Sequence, residues 1–144
     1  MSFTEKIFYL AGLISGDGHL EGGRNRIDIR IADECFAKNI ANEFAYFQPC
    51  LDFGHKRVGI TSKELVWNLE NYFELPKGNK SRIIRIPEIV LSATESECAA
   101  YLAGWFDAEG SLSLSKRTKI GPYPSISFCV CNEEVCFRIG KLLT

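Results

Sequence analysis

Apolar residues recur along this chain in two rhythms, and both rhythms appear twice in the same order. From about Thr4, a possible N-cap, to Gly16 they follow the 3.6-residue period of a helix, with Leu10, Leu13 and Ile14 flanking a strip made by Gly12 and Gly16. The period then drops to two. Ile27, Ile29 and Ile31 alternate with Arg26, Asp28 and Arg30, and a Gly22-Gly23 turn joins this strand to a shorter one at His19 to Glu21. An amphipathic helix is predicted from Asp33 to Phe47, stopped near Gln48-Pro49. A second strand pair, Leu51 to Lys56 and Arg57 to Thr61, leads into a helix from about Ser62 to Phe73, and Leu75-Pro76-Lys77-Gly78-Asn79 reads as a linker.

Beyond a short helix after Pro87 the pattern restarts. Thr94 through Glu97 fits a capping box at the head of a new apolar helix. Ser111, Ser113 and Ser115 then alternate with Leu112 and Leu114, a turn passes through Gly121-Pro122, and Ser125, Ser127 and Cys129 alternate with Ile126, Phe128 and Val130. Glu133 to Leu143 forms the last predicted helix. The expected class is α+β, with one unit of helix, hairpin, helix, hairpin, helix and a second that follows the same order only as far as its second helix.

The repetition extends to residue identity. YLAGLISGDGHL at Tyr9 to Leu20 returns as YLAGWFDAEGSL at Tyr101 to Leu112, which makes Asp17 and Glu109 equivalent positions, 109 − 17 = 92 residues apart. Gly12 and Gly16, like Gly104 and Ala108, stand four apart and place a stripe of small residues on one face of each helix. Helices packed in parallel along these stripes would bring their last turns, and so Asp17 and Glu109, together.

Such a pairing is electrostatically unfavourable on its own. Each carboxylate faces the negative end of its helix dipole, at a cost of about 0.3–1 kcal/mol, and two of them about 4 Å apart repel by about 4 kcal/mol at an effective dielectric near 20. Protonating one group or binding a divalent cation relieves the conflict. Oxygen ligands favour a hard ion, Mg²⁺ in most cells. The alternative is that both acids are simply solvated beyond their helix ends.

The windows LAGLISGDG and LAGWFDAEG resemble the LAGLIDADG motifs of homing endonucleases in their double-motif, single-chain form. The first departs at its sixth position, where Ser15 stands for the usual Asp that Asp107 keeps. The resemblance implies pseudo-two-fold αββαββα repeats whose curved antiparallel sheets form a saddle over duplex DNA. It implies that the eighth-position acids, Asp17 and Glu109, hold Mg²⁺ or another divalent cation with help from the Gly16 and Ala108 carbonyls, and that they are the catalytic residues of phosphodiester hydrolysis. A basic residue near the scissile phosphate often assists in the family; Lys63 fits that part, against the alternative of a solvated first-turn lysine. The polar sheet face, with Arg24, Arg26, Asp28, Arg30, Lys56 and Arg57, would meet the double-stranded DNA, where Arg and Lys read guanine edges.

Composition bounds this reading. A chain of 144 residues with 46% hydrophobic content suits one compact domain. No apolar run reaches the roughly 20 residues that span a bilayer, and the start lacks a signal-peptide pattern, so a soluble protein is expected. Cys35, Cys50, Cys98, Cys129, Cys131 and Cys136 contain no CxxC pair. Reduced, mostly buried thiols in a reducing intracellular compartment, cytoplasm or organelle, are expected. Trp67 and Trp105 are expected in the core, and His19 and His55 as structural or solvated groups. The net charge of −1 argues weakly against nucleic acid, but distribution outweighs the sum. Lys77, Lys80, Arg82 and Arg85 form one basic run and Lys116, Arg117 and Lys119 another. Taken singly each suits a solvated loop; with the motifs they suit phosphate contacts.

The expected organisation is a first repeat over 1–78, then a linker and an incomplete second repeat over 79–144. Only 144 − 109 = 35 residues follow Glu109, too few for a second hairpin and last helix. A gene fragment is the favoured explanation; a short form whose gap another copy fills by self-association, and a domain that keeps the core but loses activity, are the others. The complete arrangement would be a monomer with an internal pseudo-dimer, tied to intron or intein homing. The rival function is a non-cleaving DNA- or RNA-binding protein of the same fold, a maturase or transcription regulator.

Overall fold

The structure, a computed structural model, describes residues 1–78, 84–118, 121–130 and 133–144. Helix α1 (Phe3–Asp17) opens on a capping box in which the Ser2 hydroxyl accepts from the Glu5 N–H and the Glu5 carboxylate accepts from the Ser2 N–H. Ser2, not Thr4, is therefore the N-cap, because only Ser2 has a glutamate three positions on to complete the box. Helix α5 (Glu95–Glu109) opens in the same way on Thr94 and Glu97, and 94 − 2 = 92 is again the repeat distance.

Between them the first half builds a sheet. Strands β1 (Gly18–Leu20), β2 (Arg26–Arg30), β3 (Cys50–Asp52) and β4 (Arg57–Thr61) run antiparallel in the order β1-β2-β4-β3. Leu20, Ile27, Ile29, Val58 and Ile60 project from one face and are completely buried. They share a core with α1, with Ala37 and Ile40 of α2 (Glu34–Glu43), and with Leu65 and Leu69 of α3 (Lys63–Asn71). Helix α2 starts as expected on Asp33 but ends at Glu43. A short 3₁₀ turn, Ala45–Phe47, follows, and Gln48 reverses the chain at φ 50°. Strand β3 is half its expected length because residues 53–56 are spent on the turn, where Lys56 sits at φ 52°.

A short helix, α4 (Glu88–Leu91), precedes α5, and strands β5 (Gly110–Thr118) and β6 (Gly121–Phe128) and helix α6 (Glu133–Leu142) follow it. Among the described residues the second sheet has these two strands alone. Leu112 pairs with Ile126 in the register in which Leu20 pairs with Ile27. Yet Leu112 and Ile126 are each 67% exposed, whereas Leu20 and Ile27 are fully covered. The difference is what surrounds the sheet: in the first half α3 packs on β2, and the chain beyond α3 pairs with the β1 edge, where the Gly78 N–H donates to the Leu20 carbonyl.

The centre of the molecule is the α1–α5 pair. A methyl group at Gly12 would stand 1.9 Å from the Tyr101 carbonyl oxygen, and one at Gly104 2.0 Å from that of Tyr9. Each helix thus presses its glycine onto the other's backbone, and contacts that advance together in number along both chains make the pair parallel. Trp105 is buried here as expected, but Trp67 is 51% exposed, stacked edge-on against Tyr72 at the surface of α3. The expectation of mostly buried thiols also fails: Cys35, Cys50, Cys129 and Cys136 are exposed and Cys98 is half-buried. Of the exposed four, Cys35 sits on α2, Cys50 on β3, Cys129 just past the strand that ends at Phe128 and Cys136 on α6, each at the surface and not in the core the apolar residues fill.

Candidate functional site

Asp17 and Glu109 are the last residues of α1 and α5, and the tightest contact between those last turns lies beside them. A Cβ at Gly16 would meet the Ala108 Cβ at 2.3 Å and the Glu109 Cγ at 3.0 Å. Only the missing side chain at Gly16 allows this approach. Asp17 is exposed at the lip of the junction and Glu109 is half-buried. Where two helix C-termini converge, their negative dipole ends and two carboxylates concentrate negative potential in one place.

Two tyrosines hold the junction in register. The Tyr9 hydroxyl donates to Asp107 Oδ2 at 2.6 Å, and the Tyr101 hydroxyl lies 3.2 Å from Ser15 Oγ. Ser15 itself donates to the Ala11 carbonyl at 2.8 Å, so it receives the Tyr101 proton. Burial, and for Tyr9 the neighbouring Asp107 charge, push both phenols far up, so they remain donors at any working pH. Sequence reasoning misses these residues, although a tyrosine opening both copies of the repeat is their visible signal. Ser15, at the departing sixth position, is buried where Asp107 is exposed, and a neutral hydroxyl suits that place.

From the ends of α1 and β1 the polar face of the first sheet continues away from the junction. In one row across it stand His19, Asp28, Gly59 and Cys50; in the next, Arg30, Arg57 and Asp52. Asp52 accepts from Arg57 Nε at 3.1 Å and contacts His55 Nδ1 at 2.9 Å; hydrogen bonds from the His55 backbone and ring, then Arg57, hold its carboxyl below the usual range. A cleft of about 440 Å³ lies beside Asp17, with His19, Asp28, Arg30, His55 and Arg57 in its wall. Arg24 and Lys56 are exposed, and Arg24 stays within 3.8 Å of Glu21.

Asp28 is 5% exposed and spent on Arg26, whose Nε and Nη2 both donate to it at 3.0–3.2 Å. Burial opposes its charge, but the hydrogen bonds and charge of Arg26 outweigh this and keep the carboxyl below its ordinary value of 3.8. His19, Glu21 and Asp28 bring possible ligand atoms within 4.8 Å of one another. A cation there would compete with the Arg26 guanidinium that already neutralises Asp28.

Lys63 is the first residue of α3, exposed, and is not among the residues lining the cleft beside Asp17. Lys77 is paired with Glu70 at 3.0 Å and Arg85 is exposed. Lys116 and Arg117 lie on β5, while Lys80, Arg82, Lys119 and Cys131 fall outside the described residues. On the second hairpin the row equivalent to His19–Asp28 is Ser111–Ser127, hydroxyls 2.7 Å apart, followed by Ser113–Ser125 at 2.7 Å. No helix among the described residues is long and apolar enough to cross a membrane.

No family model matches the chain. It is 29% identical to a probable translation initiation factor IF-2 of Thermococcus kodakarensis over 76% of its own length, and 29% identical to a DNA polymerase of Thermococcus hydrothermalis over 96%. These matches span 10% and 8% of the two relatives, so the chain covers about a tenth of their length. Among solved structures it is similar to the homing endonuclease I-WcaI bound to its DNA recognition sequence, with a TM-score of 0.55 at 23% identity, covering 81% of this chain and 56% of that one. The α+β architecture described above, helices with antiparallel sheets, is the fold of that endonuclease.

Proposed function

We propose that the chain is a LAGLIDADG-type endonuclease module that hydrolyses double-stranded DNA with a divalent metal ion. The observation that carries this reading is the Gly16–Ala108 contact, which sets the repeated carboxylates Asp17 and Glu109 at one junction of two helix ends. The donor set fits the ion. Carboxylates and the helix-terminal carbonyls of Gly16 and Ala108 are hard oxygen ligands, and the convergence of two helix C-termini adds negative potential, which together suit Mg²⁺. When bound, the ion supplies charge stabilisation at the phosphoryl group and acidifies the attacking water.

The rest is done by the protein. Asp17 and Glu109 would hold the ion and orient the water; the polar sheet face, with Arg24, Arg26, Arg30, Lys56 and Arg57, binds and aligns the duplex; Lys63 assists at the scissile phosphate, and Lys80, Arg82, Lys116, Arg117 and Lys119 add phosphate contacts. In this reading 1–78 is the first repeat and 79–144 the linker and second. The matched relatives support an association with homing. An initiation factor and a polymerase share no printed activity, so a common segment a tenth of their length is best read as an inserted element, as an intein endonuclease would be.

The test is cleavage of duplexes carrying uninterrupted host-gene sequence, with Mg²⁺ and with chelator. Mg²⁺-dependent cutting that Asp17→Asn and Glu109→Gln abolish, while duplex binding in Ca²⁺ persists, is the expected result. Normal cutting by either variant would refute the metal assignment. Binding without cutting by the unaltered chain would favour the maturase or regulator instead.

A further inference from the structure

Arg26 and Asp28 stand two apart on β2, so both side chains rise from the polar face. The carboxylate takes the Nε and Nη2 edge of the guanidinium in a fork at 3.0–3.2 Å. A guanidinium has two donor forks, and this pairing leaves the Nη1–Nη2 end fork directed away from the carboxylate. Asp28 is 5% exposed and its carboxylate is engaged by that fork, whereas the Arg26 side chain keeps 30% of its surface.

The floor beneath the pair is specific as well. Gly59, opposite Asp28 on β4, lies under the guanidinium: a Cβ there would come within 2.8 Å of Arg26 Nη2 and 3.1 Å of Asp28 Oδ1. The salt bridge therefore sits directly against the bare backbone of Gly59. A long side chain clamped on one edge and supported from below loses little further entropy on contact, which is what separates a base-reading arginine from a mobile phosphate contact.

We propose that Arg26 reads a guanine in the major groove through its end fork, with Asp28 as the residue that positions it and Gly59 as the clearance that makes room for the pair. The inference rests on the duplex-binding function proposed above. It replaces a generic role for Asp28 as a DNA contact with a role through Arg26. Guanine is the base whose O6 and N7 acceptors match such a fork, and a good bidentate pair discriminates by about five- to a hundredfold.

The test is selection from a randomised duplex library in Ca²⁺ with the full 144-residue chain, followed by competition with every single-base variant of the selected duplex. Arg26→Ala is expected to lose preference for guanine at one base pair by about five- to a hundredfold while preferences elsewhere persist. Gly59→Ala keeps the fold, since the atoms it meets are side-chain ends, and is expected to weaken the same position and no other. Asp28→Asn should fall at that position too, and combining it with Arg26→Ala should add nothing there. A uniform drop across all duplexes on Arg26→Ala, or no change, overturns the inference while leaving duplex binding intact. An unaltered chain that selects no duplex overturns the proposed function, and this inference with it.

Discussion

The Tyr9 hydroxyl reaches across the helix pair to Asp107 at 2.6 Å, and by the internal repeat its counterpart is the contact of Tyr101 with Ser15 at 3.2 Å. One bond ends on an exposed carboxylate, the other on a buried hydroxyl. The pair of bonds therefore shows why one motif keeps an acid at its sixth position and the other does not. Ser15→Asp would put a carboxylate into the core with the Tyr101 hydroxyl as the one donor shown to reach it, and is expected to cost at least about 2 kcal/mol. Asp107→Ser, at the surface, should cost about 1 kcal/mol or less. Urea denaturation of both variants measures this; equal costs would remove the burial argument.

The helix contact predicts glycine effects of opposite sign. Gly12→Ala and Gly104→Ala place a methyl against backbone carbonyls that cannot move aside, and each should destabilise by about 3 kcal/mol or more, or prevent folding. At Gly140 in α6, by contrast, an added methyl would meet nothing within 4 Å. Gly140→Ala should therefore stabilise by about 0.5–1 kcal/mol through helix propensity. Denaturation midpoints at constant slope test both.

Asp28 gives a pH dependence with a definite sign. Its folded pKa lies below 3.8, so in acid the unfolded chain binds the extra proton. The stabilisation is complete above the unfolded value and is lost as pH falls through the lower folded value. The melting temperature of the unaltered chain should therefore fall toward that of Asp28→Asn as pH drops from about 5 to about 2. A difference that stays constant across this range would show that the Arg26 pairing does not set the titration.

Thiol accessibility distinguishes the cysteines. Cys35, Cys50, Cys129 and Cys136 are exposed and should react with a disulfide reagent in the native state. Burial raises the Cys98 pKa and lowers its thiolate fraction, so Cys98 should react more slowly until the protein unfolds. Mass mapping after brief labelling reads the order.

The repeat, the two motif helices, the first hairpin and the Thr94 capping box are legible in the sequence because local rules produce them: period, turn chemistry and caps act within a few residues. The same rules put the isoleucines of β2 on the core side, where they lie. They fail at the edges. Periodicity alone starts α1 at Thr4 and carries α2 on to Phe47, whereas the ends fall at Ser2 and Glu43, because helix ends are settled by hydrogen bonds that only the folded chain displays.

By itself, then, the sequence determined that two equivalent helices end in carboxylates 92 residues apart and that small residues line one side of each. Only the tertiary structure decided that these sides press together, that tyrosines lock them, and that Asp28 serves Arg26. It also decided that Leu112 and Ile126 stay open to solvent where Leu20 and Ile27 are covered. The physical reason is range: periodicity says which face of an element is apolar, but what covers that face comes from residues distant in the chain, and their arrival is a property of the packed fold.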